Sequence, residues 1–577
     1  MTIPAQITSF QMESPAQEPR FAIGVAMSGG GYRAAAYHLG TLSYLQQIGM
    51  LPHLEAISTV SGGTFTGTRY LLSLVEKQSF EDYFQEFYTF LLNVDLLELA
   101  VEKLGRDRNS NGLPRQLAID AFAQVYAETL LKKKDGSVFL MKDILDQQFP
   151  LTDIIFNSTD FRRGLGFRFQ KSLQPSMFGN RFDFLTEEQA ANLRVADILA
   201  ASSCFPGGFE PISWPQSFRG LPEEPLDKQL AMMDGGIYDN QGIESLLLAD
   251  RRTRRDVKEE GTSVAELAKS ADRFQMLIIS DTDRIDDNLY TFPPPPPKTL
   301  LGSLSIGTLW WFFWIVIVLC GIASIGNALE IYSLLTDSKS FSWLALSSHV
   351  TSLILAVLVV WFGLSLWNLL FNKLAPQIPH WERIRDDLNY LVLSQALTMV
   401  QLRISSLFVL ANNIFMKRIR ALLYDQIYAD ATLKATAVTS MIYKLRKFAQ
   451  QKSVAETIQF ATTHTPDWPF PERPEIARPS KKLLDIVDAA VQMPTTLWFD
   501  DSQKATLPKL VATGHATLCF QLMSHMYWTI GPDPSKYSPT QKQLWDRLLQ
   551  DWTRFQTDPY AMVRSLAPAA LQKSIPQ

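Results

Sequence analysis

The sequence predicts an α/β domain, followed by a two-helix transmembrane hairpin and a mostly α-helical C-terminal region. From residue 20 to about residue 283, short apolar runs alternate with segments of helical periodicity, a pattern typical of α/β domains. Residues 299–329 and 340–372 contain no charged side chain, and each span exceeds the roughly 20 residues that cross a bilayer. From residue 379 onward the apolar pattern is mostly helical.

Bulk composition excludes several classes of function. The 577 residues include 54 Lys and Arg against 58 Asp and Glu, a formal charge of −4, so no basic field favours nucleic acid as a partner. Cys204, Cys320 and Cys519 lie far apart in the sequence, which argues against a disulfide scaffold and against a structural zinc site. We therefore expect no metal and no cofactor, and composition says nothing about the oligomeric state.

The α/β domain is predicted to begin with a βαβ unit. Between the first two candidate strands, Ala35, Leu39, Leu42 and Leu45 recur at helical spacing, and Gly49 stands where a C-cap is expected. A helical cap or insertion is predicted over residues 70–141. The candidate strands cover residues 21–27, 55–60, 152–157, 166–170 and 274–280.

The remaining boundaries follow from composition. Residues 1–20 lack a cationic start and an apolar core and are predicted to be a flexible N-terminus without a secretory signal. The α/β domain extends to residue 290, a proline-rich linker covers residues 291–303, the hairpin covers 304–371, and the helical region covers 372–577, with long amphipathic segments at 391–449 and 483–527.

The orientation of the hairpin is predicted from its flanking charges. Tryptophans along both apolar spans suit a membrane interface, and the short connection between the spans places both ends on one side. Cationic residues cluster downstream, so we expect an integral membrane protein whose termini and α/β domain are cytoplasmic. These residues are Lys373, Arg383, Arg385, Lys417, Arg418 and Arg420.

A glycine run, Ser28-Gly29-Gly30-Gly31-Tyr32-Arg33, separates the first strand from the first helix. Glycines at the start of a helix expose backbone N–H groups that can hold negative charge. On its own the run fits either a bound phosphate or an oxyanion. No Lys-Ser or Lys-Thr pair follows the glycines, which disfavours a P-loop.

Two further motifs supply a nucleophile and a carboxylate. Ser61 ends the second strand ahead of a helix-like run, where a tight strand-to-helix turn would expose its hydroxyl. The usual elbow is Gly-x-Ser-x-Gly, and here Thr59 occupies the first glycine position while Gly63 keeps the second. Asp234 follows an apolar step and precedes Gly235 and Gly236, which allow a sharp turn.

These elements, in this order, closely resemble the patatin-like phospholipase family over roughly residues 20–285. The resemblance includes residues 156–159 and residues 199–207, which precede Asp234. Ser-Gly-Gly-Gly-Tyr-Arg-Ala, with Ser-Gly-Gly at the nucleophile, looks closer to the cytosolic phospholipase branch than to plant patatins. The family resemblance implies a three-layer α/β/α domain that cleaves lipid esters.

The resemblance also implies residue roles. Ser61 would attack the ester carbonyl and form an acyl-enzyme, while Asp234 would accept the hydroxyl proton and later activate water. Gly29, Gly30 and Gly31 would bind the oxyanion through their N–H groups. Arg33 would contact an anionic substrate or head group, with a structural ion pair as the alternative. The expected partners are a membrane lipid substrate and the bilayer.

Two other interpretations remain open at this stage. Ser61, Asp234 and His515 follow the chain order of an α/β-hydrolase triad, whereas His38 is expected to be a packing or capping residue. Alternatively, the irregular elbow at Thr59 would suit an inactive membrane scaffold or sensor that keeps the fold.

Overall fold

The computed structural model describes most of the chain. Its described residues are 21–106, 117–172, 176–214, 217–218, 230–256, 274–283, 290, 292, 299–336, 342–374, 389–450, 476–531 and 533–576. The predicted flexible terminus, the five linker prolines, Arg383 and Arg385 lie outside these residues. The chain divides into two compact units: Met1–Asp287 with Phe415–Gln577, and Asn288–Ile414.

The first unit is built on a sheet of ten strands. In chain order these are β1 Ile23–Met27, β2 Leu54–Val60, β3 Asp153–Asp160, β4 Leu165–Lys171, β5 Met177–Gly179, β6 Phe184–Leu185, β7 Ile212–Trp214, β8 Leu230–Asp234, β9 Met276–Asp281 and β10 Ala437–Met441. The five strands predicted from the sequence correspond to β1, β2, β3, β4 and β9. The others have only two or three residues, except for β8 and β10, which have five each.

The helices of the first unit fall into two groups along the chain. Those before residue 288 are α1 Gly31–Gln47, α2 Gly62–Val75, α3 Phe80–Asn93, α4 Leu96–Arg106, α5 Ala118–Glu128, α6 Met141–Leu145, α7 Glu187–Ala190, α8 Val195–Ser203, α9 Gly236–Asp239 and α10 Ile243–Asp256. The second unit contains α11 Ile306–Thr336, α12 Trp343–Trp367 and α13 Leu393–Val409. The later helices of the first unit are α14 Phe415–Ala429, α15 Ala431–Thr436, α16 Lys444–Gln450, α17 Lys481–Gln492, α18 Leu507–Thr529, α19 Pro539–Thr557, α20 Ala561–Leu566 and α21 Ala569–Gln572.

The sheet is parallel in its centre and antiparallel toward one edge. Its order is β10-β9-β1-β2-β3-β4-β5-β6, and the strands from β10 to β3 run parallel. Strands β4 and β8 both pair with β3 in the antiparallel sense. Since the carboxyl ends of parallel strands meet at one edge, the loops after β1, β2 and β9 converge there.

The strand β10 corrects the sequence-based prediction for residues 391–449. That segment was predicted to form one or more long amphipathic helical segments, yet Ala437–Met441 forms an edge strand whose register with β9 runs from Ala437–Leu277 to Met441–Asp281. Val438 is buried, and Thr439 and Ser440 are also buried. Pairing with an available parallel strand outweighs the local helical pattern. The C-terminal region is otherwise mostly helical, as predicted.

Helix α1 is held between the sheet and helix α18. Its residues from Gly31 to Leu45 are all buried. The two helices cross closely at Gly40 and Gly514, because a Cβ at Gly40 would lie 2.3 Å from the carbonyl oxygen of Val511 and 3.1 Å from the Cα of Gly514. Burial on both sides fixes the position of the glycine run that precedes α1.

The second unit contains two helices that are long and apolar enough to cross a membrane. They are α11, with 31 residues, and α12, with 25 residues, and each has a mean hydropathy of 2.2 over its most apolar window. Trp310 and Trp314 contact Trp367 at ring-centroid distances of 4.9 and 5.3 Å. Most of their large apolar side chains are nevertheless exposed, which is unusual for a soluble protein.

Candidate active site

Ser61 occupies a strained turn between β2 and α2. Its φ of 49° and ψ of −114° place a non-glycine residue in a rarely populated region. The turn is crowded: a Cβ at Gly62 would lie 2.3 Å from the carbonyl oxygen of Gly31, and one at Gly63 would lie 2.5 Å from that of Met27. Small residues are therefore required on the helix side, and the serine is held at the tip of the turn.

The sheet register brings Asp234 to the same point as Ser61. Strand β2 ends with Val60 opposite Asn157 of β3, and β8 ends with Asp234 opposite Ser158, the next residue of β3. Strand β4 pairs with residues 154–160 of β3 along its other edge, so β2 and β8 share one edge end to end. They run in opposite directions, and their carboxyl ends therefore meet.

The carboxylate of Asp234 lies near the hydroxyl of Ser61. Its Oδ1 accepts the N–H of Gly236 at 2.7 Å. Burial raises the pKa of Asp234 from 3.8 to about 6, and the N–H of Gly236 and then the hydroxyl of Ser61 oppose that rise. Asp234 is 5% exposed and Ser61 is 9% exposed. Desolvation makes this carboxylate a better proton acceptor than an ordinary aspartate.

Residues 202–204 form hydrogen bonds both to Ser61 and to the segment that begins at Asp234. The hydroxyl of Ser202 accepts the N–H of Ser61 at 3.0 Å, and its carbonyl accepts the N–H of Gly235 at 3.3 Å. The carbonyl of Cys204 accepts the N–H of Asp234 at 2.8 Å. This segment is part of the motif at residues 199–207, which was found in the sequence without an assigned role. It fixes the serine relative to the aspartate.

Two helix N-termini meet at Ser61. Helix α1 begins at Gly31 and α2 begins at Gly62, and neither N-terminus has a side-chain cap. Among the described residues, no partner accepts the N–H groups of Gly30, Gly31 or Gly62. A Cβ at Gly62 would lie 2.7 Å from the nitrogen of Gly31, so the two helix starts are in contact. Uncapped amides at two helix N-termini favour an anion here.

Gly29 differs from the sequence-based prediction. Its N–H donates to the carbonyl of Asn240 at 3.0 Å and is therefore not available to an oxyanion in this structure. Gly29 instead makes room for close packing, because a Cβ there would lie 2.5 Å from Oδ1 of Asn240 and 3.2 Å from the Cβ of Ser61. Gly62, which was not predicted as a donor, contributes an amide without a described partner.

Residues of the C-terminal region contact the glycine loop and the start of α1. The carbonyl of Thr496 accepts the N–H of Tyr32 at 2.8 Å and would lie 2.3 Å from a Cβ at Gly31, whose φ is +58°. Arg33 is buried, and its guanidinium donates to the carbonyl of Met493 at 2.8 Å. This contact links α1 to the C-terminal region, which is a structural use of the Arg33 side chain.

Thr59, the departure from the usual elbow, is accommodated by Gly67. A Cβ at Gly67 would lie 2.7 Å from Cγ2 of Thr59, so the glycine one turn into α2 leaves the space that the threonine fills. The hydroxyl of Thr59 accepts that of Thr64 at 3.1 Å, and Thr64 in turn contacts Ser202 at 2.8 Å. The irregularity is compensated within the elbow.

Neither candidate histidine is placed to act on Ser61. His38 is buried, and its two nitrogens contact the hydroxyl of Ser280 at 2.8 Å and the carbonyl of Ser28 at 2.9 Å; burial lowers its pKa to about 4. His515 contacts the hydroxyl of Ser43 at 2.7 Å, and burial lowers its pKa to about 3. Ser43 lies three turns along α1, about 18 Å from the helix start. The arrangement disfavours the Ser/Asp/His triad.

The sequence did not predict that Asn240 connects the glycine run to the turn after Asp234. Its carbonyl binds Gly29, and its side-chain Oδ1 lies beside both Gly29 and Gly236, 2.7 Å from a Cβ placed at the latter. The only signal in the sequence was its position six residues after Asp234. Within the part of the chain that the structure describes, no group of three or more His, Cys, Asp or Glu side chains is placed to hold a metal ion.

Part of the sequence matches a known protein family. Residues 25–247 match the family model described as patatin-like phospholipase. This part of the chain is similar to patatin-like phospholipase domains. The match begins in β1 and ends in α10, so the patatin-like domain includes the glycine run, Ser61 and Asp234.

The crystal structure of VipD from Legionella pneumophila is similar at 13% sequence identity and a TM-score of 0.21, over 54% of this chain. The similarity covers 56% of VipD, so this chain spans about half the length of that protein. No curated protein matches the sequence.

Proposed function

We propose that the protein is a membrane-anchored serine acyl hydrolase that cleaves glycerolipid or glycerophospholipid esters through a Ser61 and Asp234 dyad. The observation that carries the proposal is the meeting of β2 and β8 on one edge of β3, where Ser61 lies beside a desolvated Asp234. The patatin-like domain supports a lipid acyl hydrolase. Within that family, residues 28–34 favour the cytosolic phospholipase branch.

The chemistry follows from the residues at this point. Oγ of Ser61 attacks the ester carbonyl carbon while its proton passes to the Asp234 carboxylate. The tetrahedral oxyanion is stabilised by the N–H groups of Gly30 and Gly31, with Gly62 as a third donor. Asp234 gives the proton to the departing alkoxide, which leaves as an alcohol. An acyl ester on Ser61 remains.

Hydrolysis of the acyl-enzyme uses the same groups. Asp234 accepts a proton from a water molecule, whose oxygen attacks the acyl carbon of Ser61. Collapse of the second tetrahedral intermediate returns the proton to Oγ and releases a carboxylic acid. A pKa near 6 leaves Asp234 ionised at neutral pH while bringing its basicity closer to the working pH. Arg33 remains a proposed contact for an anionic substrate, alongside its structural bond to Met493.

Membrane anchoring is the second part of the proposal. Helices α11 and α12 are apolar along lengths that span a bilayer, and Lys373, Lys417 and Arg418 follow them on the chain. We place the termini and the patatin-like domain in the cytoplasm on the positive-inside tendency. A tether to the bilayer raises the effective concentration of a lipid substrate.

A fluorophosphonate probe tests the nucleophile directly. Full-length protein in detergent is expected to gain one adduct, which peptide mass spectrometry places on Ser61. Ser61→Ala should abolish the adduct and the hydrolysis of lipid esters. Ser73→Ala is the matched control, because Ser73 lies buried on the same helix and its hydroxyl donates to the carbonyl of Tyr70. Folded protein without an adduct on Ser61 would favour the inactive scaffold.

Alkaline carbonate extraction tests the anchor. The full chain is expected to remain in the membrane pellet, and protease added to inverted vesicles should digest the patatin-like domain. Release into the supernatant would refute membrane spanning, and protection of the domain in inverted vesicles would refute the cytoplasmic placement.

A further inference from the structure

The side chain of Met416 lies beside the turn that carries Asp234. Met416 is the second residue of α14 and belongs to the same compact unit as Asp234. A Cβ placed on Gly236 would lie 3.0 Å from Cε of Met416 and 3.0 Å from Oδ1 of Asp234. The methyl carbon and the carboxylate oxygen are therefore at most about 6 Å apart, which is about two water diameters.

Helix α14 is held in this position by its later turns. The guanidinium of Arg420 forms ion pairs with Asp281 at 3.1 Å and with Asp283 at 2.7 Å. The hydroxyl of Tyr424 donates to the carboxylate of Asp281 at 2.9 Å. Asp281 is the last residue of β9, at the edge of the sheet where the carboxyl ends of the parallel strands meet. These contacts therefore fix the start of α14 at the edge of the sheet that holds the site.

Met416 covers the Asp234 turn on the side of α14. Asp234 is 5% exposed, whereas Met416 is partly exposed and is the outer of the two side chains. A thioether with its methyl group excludes water but offers no strong hydrogen bond in return, so it disfavours a nearby anion. Gly236 has no side chain to fill this space, and the cover comes from α14 instead.

The proton affinity of Asp234 depends on exclusion of water. Burial is the largest cause of its raised pKa, and within the described residues no charged side chain adds to the rise. Cys204 and Tyr126 are titratable groups close enough to interact with the Asp234 charge. Burial raises the pKa of each well above its ordinary value, so both stay neutral while Asp234 titrates. A side chain that admits or excludes water can therefore change the pKa of Asp234.

The charged residues on the elements packed around Asp234 have partners of their own. Asp239 of α9 accepts backbone N–H groups of the segment that follows it. Others form ion pairs: Asp160 of β3 with Arg163, Asp197 of α8 with Arg194, and Arg420 of α14 with Asp281 and Asp283. Neither these groups nor Lys417 and Arg418 contribute to the raised pKa of Asp234.

We propose that Met416 is a positioning residue that seals the turn after Asp234 against water and thereby keeps this carboxylate a competent general base. Met416 acts through Asp234 and contributes no group to the breaking of bonds. The inference rests on the proposed function, because it gives Met416 a role in the reaction of Ser61 and Asp234. Met416 lies outside residues 25–247, so the match to the family model does not include it.

Infrared difference spectroscopy measures the ionisation of Asp234 without relying on activity. The spectrum of full-length Asp234→Asn in detergent is subtracted from that of the wild type, and the remaining carboxylic acid C=O band is followed from about pH 3.5 to pH 8. The midpoint is expected at about pH 6. With Met416→Ala in both proteins, the midpoint should fall by about one pH unit, because water reaches the carboxylate.

The ester assay should show the same shift as a change of sign between two pH values. At pH 8, kcat/KM of Met416→Ala for a soluble short-chain ester should be about threefold below wild type, because a weaker base accepts the proton less well. At pH 5 it should be about twofold above wild type, because about fivefold more of Asp234 is ionised. General damage to the fold would slow the reaction at both pH values.

Two control variants separate this role from packing. Met416→Leu keeps an apolar side chain of similar volume and should hold the midpoint within about 0.3 pH unit of wild type. Leu422→Ala truncates an apolar side chain that is 50% exposed on the same helix, and it should change neither the midpoint nor kcat/KM.

The outcomes distinguish this proposal from the proposed hydrolase. An unchanged midpoint in Met416→Ala, an equal fall in Leu422→Ala, or slower hydrolysis at both pH values with no shift of the midpoint would overturn the role of Met416. A shifted midpoint in a protein whose wild type hydrolyses no ester would support the effect of Met416 on Asp234 and refute the hydrolase.

Discussion

The ionisation of Asp234 is expected to control both activity and stability. Its pKa is raised to about 6 from 3.8, and one pH unit corresponds to about 1.4 kcal/mol, so the buried anion destabilises the folded protein by about 3 kcal/mol. The folded state holds this proton more tightly than the unfolded state does. Stability from this group is therefore present below about pH 4, is lost as the pH rises toward 6, and stays lost above it.

The substitution Asp234→Asn isolates this effect. An amide keeps an acceptor for the N–H of Gly236 but carries no charge. The variant should be more stable than wild type by about 3 kcal/mol at pH 8 and nearly equal to it at pH 3.5. Denaturant unfolding at both pH values measures the difference. Asp239, whose pKa is also raised to about 6 by burial, is present in both proteins and cancels in the comparison.

The pH dependence of activity should report the same ionisation of Asp234, but activity should rise with pH where stability falls. As the proposed general base, Asp234 must be ionised, so kcat/KM for a short-chain soluble ester should rise tenfold per pH unit up to about pH 6 and then level off. Asp234→Asn should be inactive at every pH. A midpoint near pH 4, an Asp234→Asn enzyme that keeps more than about a tenth of the activity, or a variant no more stable at pH 8 would each refute the reasoning.

Three further substitutions test the surroundings of the site. Gly31→Ala places a Cβ against the carbonyl of Thr496 and should lower kcat about 100-fold or more in the ester assay, whereas Gly49→Ala, also at positive φ but in open space, should keep full activity. Gly67→Ala should cost about 1–3 kcal/mol in denaturant unfolding, and adding Thr59→Ser, which removes the clashing methyl group, should restore most of it. His515→Gln should keep kcat within about twofold, and loss of activity in a variant that melts like wild type would revive the triad.

Local signals predicted the parts of the site that depend on neighbouring residues. The strand ending at Val60, the small residues after Ser61 and the glycine pair after Asp234 are each determined by a few positions of sequence. Their meeting was anticipated through family resemblance, because the sequence alone does not show that β8 runs antiparallel along the end of β2. That relation depends on the register of β3, which pairs Asn157 with one strand and Ser158 with the other.

Other features depend on partners that no local pattern identifies. The three glycines of the loop appear equivalent in the sequence, yet Gly29 donates to Asn240 while Gly30 and Gly31 have no described acceptor. Strand β10 was predicted to be helical because its few residues continue an amphipathic pattern, and only the presence of β9 makes it a strand. Long-range pairing decided the outcome at both places.

The patatin-like match ends at residue 247, but the structure that supports the site continues beyond it. Strand β9 pairs with β1, and the hydroxyl of Thr282 donates to the carbonyl of Gly29 at 3.0 Å. Strand β10 extends the sheet past β9, and the carbonyl of Thr496 binds the N–H of Tyr32 at the start of α1. Because a glycine loop that binds a developing oxyanion must be held in place before the reaction, these later segments are part of the proposed catalytic unit. The helical C-terminal region thus holds the glycine loop in place through contacts to the start of α1, although its sequence carries none of the family motifs.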